Sequence, residues 1–588
     1  MEINKKGSVL VVFGNDLPAK KGQWWKQFDI VIAPKKLEAK ILQCGLSYID
    51  LNSLVDPGNV QEASELARTL SRLKLSDGRR VSKFVNYHGY ELWWMHYDDI
   101  CYKFCFPFTQ YRTLLTYLKN CELIYLYKPP FASLFRYFLE AHKSKYEIVE
   151  EFSQTIPSVG TFVQLLLSLI SFPWLVVRRA RLMVWTSDQF DLPRTHDFRM
   201  AYIYDELYKK KLAFVEFIRS MESTRTVIHH AILRRRPAIY SYAIVTVTHF
   251  LAVVLKGRGS DKKTLNLRLG AHDNPEDDFW FSVATCYLLN VTGDIWSIQA
   301  IRFILRCIGI RAAIISAAVN RNFHEVLACK LLGINIVGIQ HGLSPRYYFV
   351  SDYMFDFDGE KMMSVDRYGL CSAWWKEYYI KNSKAYKSDQ LFVSGPMRPL
   401  QQKSLSYLPS NATAVIKVLF VSEQLCVPSE SLPFLLTLME TANISLYIKF
   451  RTYHDGFEEW LKENRPEILE KIGKGKILRG AMHEAISQCD AVVGSHSTGV
   501  MEALLQLKPP IFFLTKKWGD YFDLSDCDLE YKFFARNPRE LVDCVRKSEE
   551  IPRDTLKKLQ ERFFGDPYQN GSKWVVEQVE DILRNTRQ

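Results

Sequence analysis

The segment Val492-Val493-Gly494-Ser495-His496-Ser497-Thr498-Gly499-Val500-Met501-Glu502 ends an apolar run in small hydroxyl residues and then turns helical. A strand that stops at a helix start presents unpaired backbone N–H groups and the positive end of the helix dipole, which together hold a phosphate. Ser495, Ser497 and Thr498 are therefore candidate phosphate contacts. Glu502, about one helical turn further on, is placed to accept hydrogen bonds from ribose or sugar hydroxyls. Plain N-capping by Ser497 is the competing reading. Upstream, Tyr447-Ile448-Lys449-Phe450-Arg451-Thr452-Tyr453-His454 gathers three potentially cationic groups at another strand end. Ligands of open parallel sheets sit beyond the carboxyl ends of the strands. Lys449 and Arg451 could then neutralise a diphosphate, with His454 bonding to it or protonating a leaving oxygen. A charge pair with a solvated histidine is the plainer alternative.

A third strand end reads Gly338-Ile339-Gln340-His341-Gly342. His341 can act as acid/base or phosphate contact, Gln340 can orient it, and Gly342 leaves a ligand room to approach. A structural hydrogen-bonding histidine is again the competing reading. A base for an acceptor hydroxyl should come from a loop early in the chain. Asp16, after the first apolar run, and Asp188, in Trp185-Thr186-Ser187-Asp188, are candidates, and either could instead be a turn or cap residue.

The elements that must position these residues are legible from pattern. With 588 residues, 47% apolar and 24% charged, the chain is globular and long enough for at least two cores. Its excess of 77 Lys and Arg over 65 Asp and Glu suits anionic ligands, membrane surfaces or nucleic acid alike. Nucleic acid is disfavoured because the basic residues cluster beside apolar runs and not along an aromatic groove. The 12 cysteines show no CxxC pair, which argues against a zinc cluster or disulfide framework. Strand-like runs at Ser8 to Phe13, Asp29 to Ile32, Leu46 to Ile49 and Leu123 to Tyr127 open an α/β pattern. It resumes at Ala312 to Ser316, Ile334 to Ile339 and Leu391 to Val393. A cleaner alternation follows, with strands at Val415 to Val421, Ser445 to Phe450, Lys476 to Leu478, Ala491 to Val493 and Ile511 to Leu514. We place a domain boundary at 395–396, giving a first Rossmann-like domain over 1–395 and a second, donor-binding one over 396–588. Residues 155–269 read as a mainly helical, apolar and basic insertion in the first. The terminal stretch Ser572 to Asn585 is an amphipathic helix that could pack back on the first domain.

The succession GIQHG, the Trp374-Trp375 helix leading to LFVSGPMRP, then YIKFRTYH and CDAVVGSHSTGVMEAL resembles the GT-B transferases of bacterial surface polysaccharides. It is similar to capsule-polysaccharide glycosyltransferases and, more distantly, to CDP-glycerol glycerophosphotransferases. The likeness covers roughly Ala312 to Leu514 and carries over to His341, His454, Ser497 and Thr498. The family's Lys-x-His-Pro form is replaced by Lys449-Phe450-Arg451-Thr452-Tyr453-His454, so either Arg451 or His454 holds the usual histidine's place. The resemblance implies an α/β GT-B fold, two Rossmann-like domains facing a cleft that binds a nucleotide-activated sugar donor. It implies transfer to a surface or capsular glycan acceptor carried on a lipid, with no cofactor. Metal independence is also implied, since helix dipoles and basic groups neutralise the leaving diphosphate. Asp356-Phe357-Asp358 and Asp526-Cys527-Asp528 match a metal-binding Asp-x-Asp spacing, but so short a triplet recurs by chance. An alditol phosphotransferase, a sugar-nucleotide epimerase and a non-catalytic scaffold in glycan export are the competing functions.

Ile156 to Val177 is free of charge and is followed by Arg178, Arg179 and Arg181. Ala238 to Leu255 is equally uncharged and follows Arg234-Arg235-Arg236. Each is long enough to cross a bilayer. Pro157, Gln164, Pro173 and His249 dilute them, so they are expected to be buried core helices or to lie on the inner leaflet with the arginines at anionic headgroups. With no signal-like pattern read at the start, a cytoplasmic protein is the expectation, peripheral on the inner face of the membrane in the second of these readings.

Overall fold

The computed structural model describes residues 6–18, 24–75, 77–149, 157–188, 190–191, 196–264, 274–317, 322–342, 354–400, 415–423, 427–451, 455–525 and 530–585. The chain forms two compact units, one of Met1–Phe162, Ala243–Ala300 and Met354–Met362, the other of Val163–Tyr242, Ile301–Tyr353 and Met363–Gln588. This division does not follow the expected one at 395–396: residues on both sides of that point belong to the second unit, and the first joins the opening α/β segment with two later stretches of the chain.

In the first unit the strands Lys6–Val12, Ile30–Ala33, Ser47–Asp50, Cys121–Tyr127 and Lys145–Val149 form a parallel sheet. Numbered along the chain, their spatial order is 3-2-1-4-5. Val9 to Val12 are fully buried, as expected of a parallel strand covered on both faces. Asp356 and Asp358 belong to this unit. Asp356 receives Arg72 Nη2 at 2.8 Å and Arg68 Nε at 3.3 Å, while Asp358 lies 2.9 Å from Lys83 Nζ. The Asp-x-Asp spacing at 356–358 therefore serves ion pairs. The other triplet, 526–528, falls outside the described residues.

The second unit carries two further parallel sheets. The larger has seven strands. In chain order they are Leu182–Ser187, Phe214–Arg219, Ala238–Ile239, Ala312–Ile314, Asn335–Ile339, Arg367–Leu370 and Leu391–Val393, with spatial order 3-2-1-4-5-6-7. This corrects the reading of 155–269 as a helical insertion, because three of its segments are strands of the sheet. Phe214–Arg219 was hidden by Glu216, whose buried carboxylate is paired with Arg236 Nε at 2.7 Å and with Arg234.

The smaller sheet has strands Ile416–Val421, Ile444–Lys449, Ala491–Gly494, Pro510–Phe513 and Phe534–Ala535, ordered 2-1-3-4-5. The expected strand at Lys476 to Leu478 contributes only an isolated bridge, Ile448 to Ile477, and Phe534–Ala535 takes the fifth place instead. The helix Gly571–Asn585 returns to the seven-stranded sheet. There Val575, Val576, Val579 and Ile582 join Leu182, Ile314, Val337 and Ile339 in one core, as its amphipathic spacing anticipated. Both sheets reverse their winding about their first strand, and ligands of such sheets bind beyond the carboxyl ends of the strands.

Candidate functional site

A cleft with about 340 Å³ of open space lies within the second unit. It is lined by Gln340, His341 and Gly342, by Cys371, by Pro396, Met397 and Arg398, and by Thr498, Glu502, Leu505 and Phe564. Each polar group has a topological reason to be there. Gln340 to Gly342 follow the strand Asn335–Ile339, Cys371 follows Arg367–Leu370, and Pro396 to Arg398 follow Leu391–Val393, so the larger sheet contributes the carboxyl ends of three strands. From the smaller sheet the chain leaves Ala491–Gly494 and enters the Thr498–Met501 helical turn, which continues as Glu502–Gln506. The two sides touch: a Cβ at Gly342 would stand 3.3 Å from Thr498 Oγ1. The expectation that His341 and Thr498 share one cleft is met by this geometry.

The pieces of the cleft differ in freedom. Gln340 is buried, its Oε1 accepting the Cys371 N–H at 3.1 Å, which fixes the end of the neighbouring strand and not the imidazole of His341. Its Nε2 has no hydrogen-bond partner among the described residues, leaving a buried donor that a ligand oxygen would satisfy. His341 is exposed. Arg398 Nη1 lies 3.7 Å from Glu502 Oε1, both side chains being partly open to solvent. Burial pushes the Glu502 carboxyl above the usual carboxylate range, against the opposing pull of Arg398, His483 and Lys449. The Cys371 thiol is pushed up to about 12 by burial, which keeps it protonated and excludes it as a nucleophile near neutral pH.

Several sequence-derived candidates stand elsewhere. Ser497 is the cap of the Thr498 turn: its hydroxyl accepts the Gly499 N–H at 3.1 Å and it does not line the cleft. The plain capping reading holds for it. Ser495 bonds His496 Nδ1 at 2.8 Å, and that imidazole stacks on Trp518 with ring centroids 4.1 Å apart. Lys449 is buried and donates to the Gly480 carbonyl at 2.8 Å; burial, reinforced by Arg479, lowers its pKa. It acts on Glu502 through its charge and lines no part of the cleft. The backbone N–H of Arg451 donates to Asp455 Oδ2 at 2.8 Å, and Arg451 too is absent from the lining. His454 falls outside the described residues.

Neither proposed base lines the cleft. Asp16 lies in the first unit, exposed in the turn after Lys6–Val12, 3.9 Å from Lys128 Nζ. Asp188 is buried at the end of Leu182–Ser187. It accepts from Ser220 Oγ at 2.7 Å and Arg234 Nη2 at 2.9 Å and lies 3.3 Å from His230 Nδ1. Burial alone would raise its pKa, but the hydrogen bond with His230 and the charge of Arg234 outweigh it and hold the carboxyl below the usual range. A carboxylate so engaged has little basicity left, so the assignment of Asp188 as base is corrected: it is the anion of a structural ion cluster. Sequence reading also missed Arg398. Its signal is a cation just past a strand end, in the LFVSGPMRP run that carries the resemblance and the domain boundary but gives the guanidinium no role.

Two doubly wound parallel sheets lie in one unit, with strand ends meeting at a cleft and the terminal helix crossing back, which is the α/β arrangement that the resemblance to GT-B transferases implies. No protein-family profile matches the chain, and no curated protein matches it in sequence. Among solved structures, the chain is similar to Staphylococcus aureus MnaA in its co-structure with UDP. Identity there is 10%, the TM-score is 0.38, and the match covers 68% of this chain and 96% of that one. It is also similar to the UDP-GlcNAc 2-epimerase of Neisseria meningitidis bound to UDP-GlcNAc, at 12% identity and a TM-score of 0.38 over 68% of this chain and 99% of the other. A glycosyltransferase of Rickettsia africae matches at 12% identity and a TM-score of 0.34, over 69% and 98%.

Proposed function

We propose that the second unit binds a nucleotide-activated sugar and transfers the sugar to a hydroxyl of a surface glycan. The observation that carries this reading is the meeting, in one cleft, of His341 and Gly342 from the larger sheet with Thr498 and Glu502 from the smaller, beside the guanidinium of Arg398. In the reaction the acceptor oxygen forms a bond to the anomeric carbon as the bond to the diphosphate oxygen breaks, and the hydroxyl proton passes to a base or to solvent. Charge builds on the departing diphosphate, and groups already fixed around it stabilise that charge without reorganising. Arg398 supplies a planar two-pronged donor suited to phosphate oxygens. Thr498 supplies a hydroxyl and His341 a donor or proton source. Glu502 accepts from sugar or ribose hydroxyls, and the free Nε2 of Gln340 donates to a ligand oxygen.

Thermal-shift screening of the full chain against CMP-, CDP-, UDP- and GDP-linked sugars tests the reading, because a ligand at 100 times its Kd stabilises the folded state by about 2.7 kcal/mol. One donor class should raise the midpoint, and Arg398→Ala should abolish the rise. No response to any donor removes the proposal. Product analysis without acceptor then separates transfer from epimerisation, which would convert the donor unaided.

A further inference from the structure

The helix Val159–Arg178 is built inside out for a water-soluble surface. Its outward stripe is Val159, Phe162, Leu166, Leu169, Ile170, Trp174 and Val177, all exposed, with Ile170 at 66% and Val177 at 79%. Its inward face holds the polar groups. Gln164, 5% exposed, donates from Nε2 to the Ser220 carbonyl at 3.5 Å, and Ser168 Oγ accepts the Tyr240 N–H at 2.8 Å. At 100° per residue the two sets fall on opposite sides of the helix. A helix packed on a globular protein in water shows the reverse arrangement. Of the two placements expected for this segment, buried core and leaflet surface, its exposure contradicts the first. The companion segment Ala238 to Leu255 begins as the edge strand Ala238–Ile239 and so is not a continuous apolar helix.

The helix has 20 residues, about 30 Å at 1.5 Å per residue, and it is the one helix among the described residues long and apolar enough to cross a membrane. Crossing would tear Gln164 and Ser168 from their partners and place them in hydrocarbon, whereas lying flat keeps both bonds and wets only the apolar stripe with lipid. The C-terminal end supplies the charge: Arg178, Arg179 and Arg181 are exposed where the chain turns, through a left-handed Arg179 at φ 48°, into the strand Leu182–Ser187. Trp174, one turn before them, is the side chain that favours the headgroup level.

We propose that this face seats the protein on an anionic lipid bilayer, with the helix parallel to the surface, its stripe in the acyl boundary and its three arginines among the phosphates. The proposal goes beyond the transferase reading and does not depend on it.

Flotation of the full chain with phosphatidylcholine vesicles, with and without phosphatidylglycerol, tests it. The wild type should float with the anionic vesicles at low salt and much less with the neutral ones. Each arginine near an anionic surface is worth roughly fivefold in partitioning, so Arg178→Glu with Arg179→Glu should lower binding at least about 25-fold. Leu166→Glu with Ile170→Glu should reduce flotation to background while leaving the thermal midpoint unchanged, since both positions face outward. Wild-type protein that stays at the bottom at low salt overturns the proposal. So does flotation untouched by the Leu166 and Ile170 pair. A wild-type dimer that this pair dissociates, with no vesicle binding, gives the face to a second copy and equally overturns it.

Discussion

The join between the terminal helix and the segment carrying Arg398 makes a quantitative prediction. Gly571 opens the helix Gly571–Asn585; its N–H donates to the Pro396 carbonyl at 3.0 Å, and Ser572 Oγ donates to the Met397 carbonyl at 2.7 Å. A Cβ at 571 would stand 2.5 Å from the Gly395 carbonyl oxygen, 2.8 Å from Ile339 Cδ1 and 3.0 Å from the Pro396 oxygen. Two of these atoms are backbone, and Gly395 is itself fixed in a turn at φ 78°, so neither side can yield cheaply. Gly571→Ala should cost about 1–3 kcal/mol in overpacking. The strained hydrogen bond adds about 1 kcal/mol, and the better helix propensity of alanine returns up to about 1 kcal/mol. The net loss of about 1–4 kcal/mol corresponds to roughly 5- to 900-fold faster amide exchange in the helix. Hydrogen exchange of Val575 to Ile582 measures it. Gly475→Ala is the control, because a Cβ there meets nothing within 4 Å. Equal protection in the two variants would refute the reasoning. Nucleotide affinity should weaken in Gly571→Ala as Arg398 shifts.

Thr498→Val should lower nucleotide affinity about tenfold, the worth of one hydrogen bond to a charged group, as read by calorimetry. Ser497→Ala should instead cost about 1 kcal/mol of stability through loss of the cap, with all direct ligand contacts kept. The raised pKa of Glu502 has a definite sign. The folded state holds that proton more tightly than the unfolded chain, so its contribution is fully present below the ordinary carboxylate range and is lost as pH rises through the elevated value. Glu502→Gln should therefore gain stability over wild type in urea titrations at pH 8 and gain less at pH 5; an equal gain at both would contradict the burial argument. His496 runs the other way, because burial, with Lys517 adding to it, lowers its pKa from 6.5 to about 3. The unfolded chain takes up that proton first, so stability falls as pH drops below 6.5, by about 2 kcal/mol at pH 5. His496→Gln should flatten this dependence, and an unchanged urea-midpoint profile would show that the imidazole is accessible.

The parts readable from sequence were those whose signals are local. Val9 to Val12, Ile334 to Ile339 and Ala491 to Val493 announce themselves as β-branched runs because a parallel strand is buried on both faces, and Val575, Val579 and Ile582 mark their helix by spacing alone. The strand-end positions of His341, Thr498 and Glu502 followed from the same signals. What sequence could not decide was which cation faces the cleft and which way each polar side chain turns. Lys449 and Arg398 both stand near strand ends, but one ammonium is taken by the Gly480 carbonyl and only the other guanidinium reaches the lining. Asp188 resembled a free base until Ser220 and Arg234, remote in the chain, closed around it. Ile156 to Val177 showed its apolarity in composition, yet whether that surface faces inward or out depends on where Gln164 and Ser168 find partners. Local pattern fixes a segment's conformation because its own backbone and side chains set the cost; the partners of a polar group lie far off in the chain, so only packing determines them.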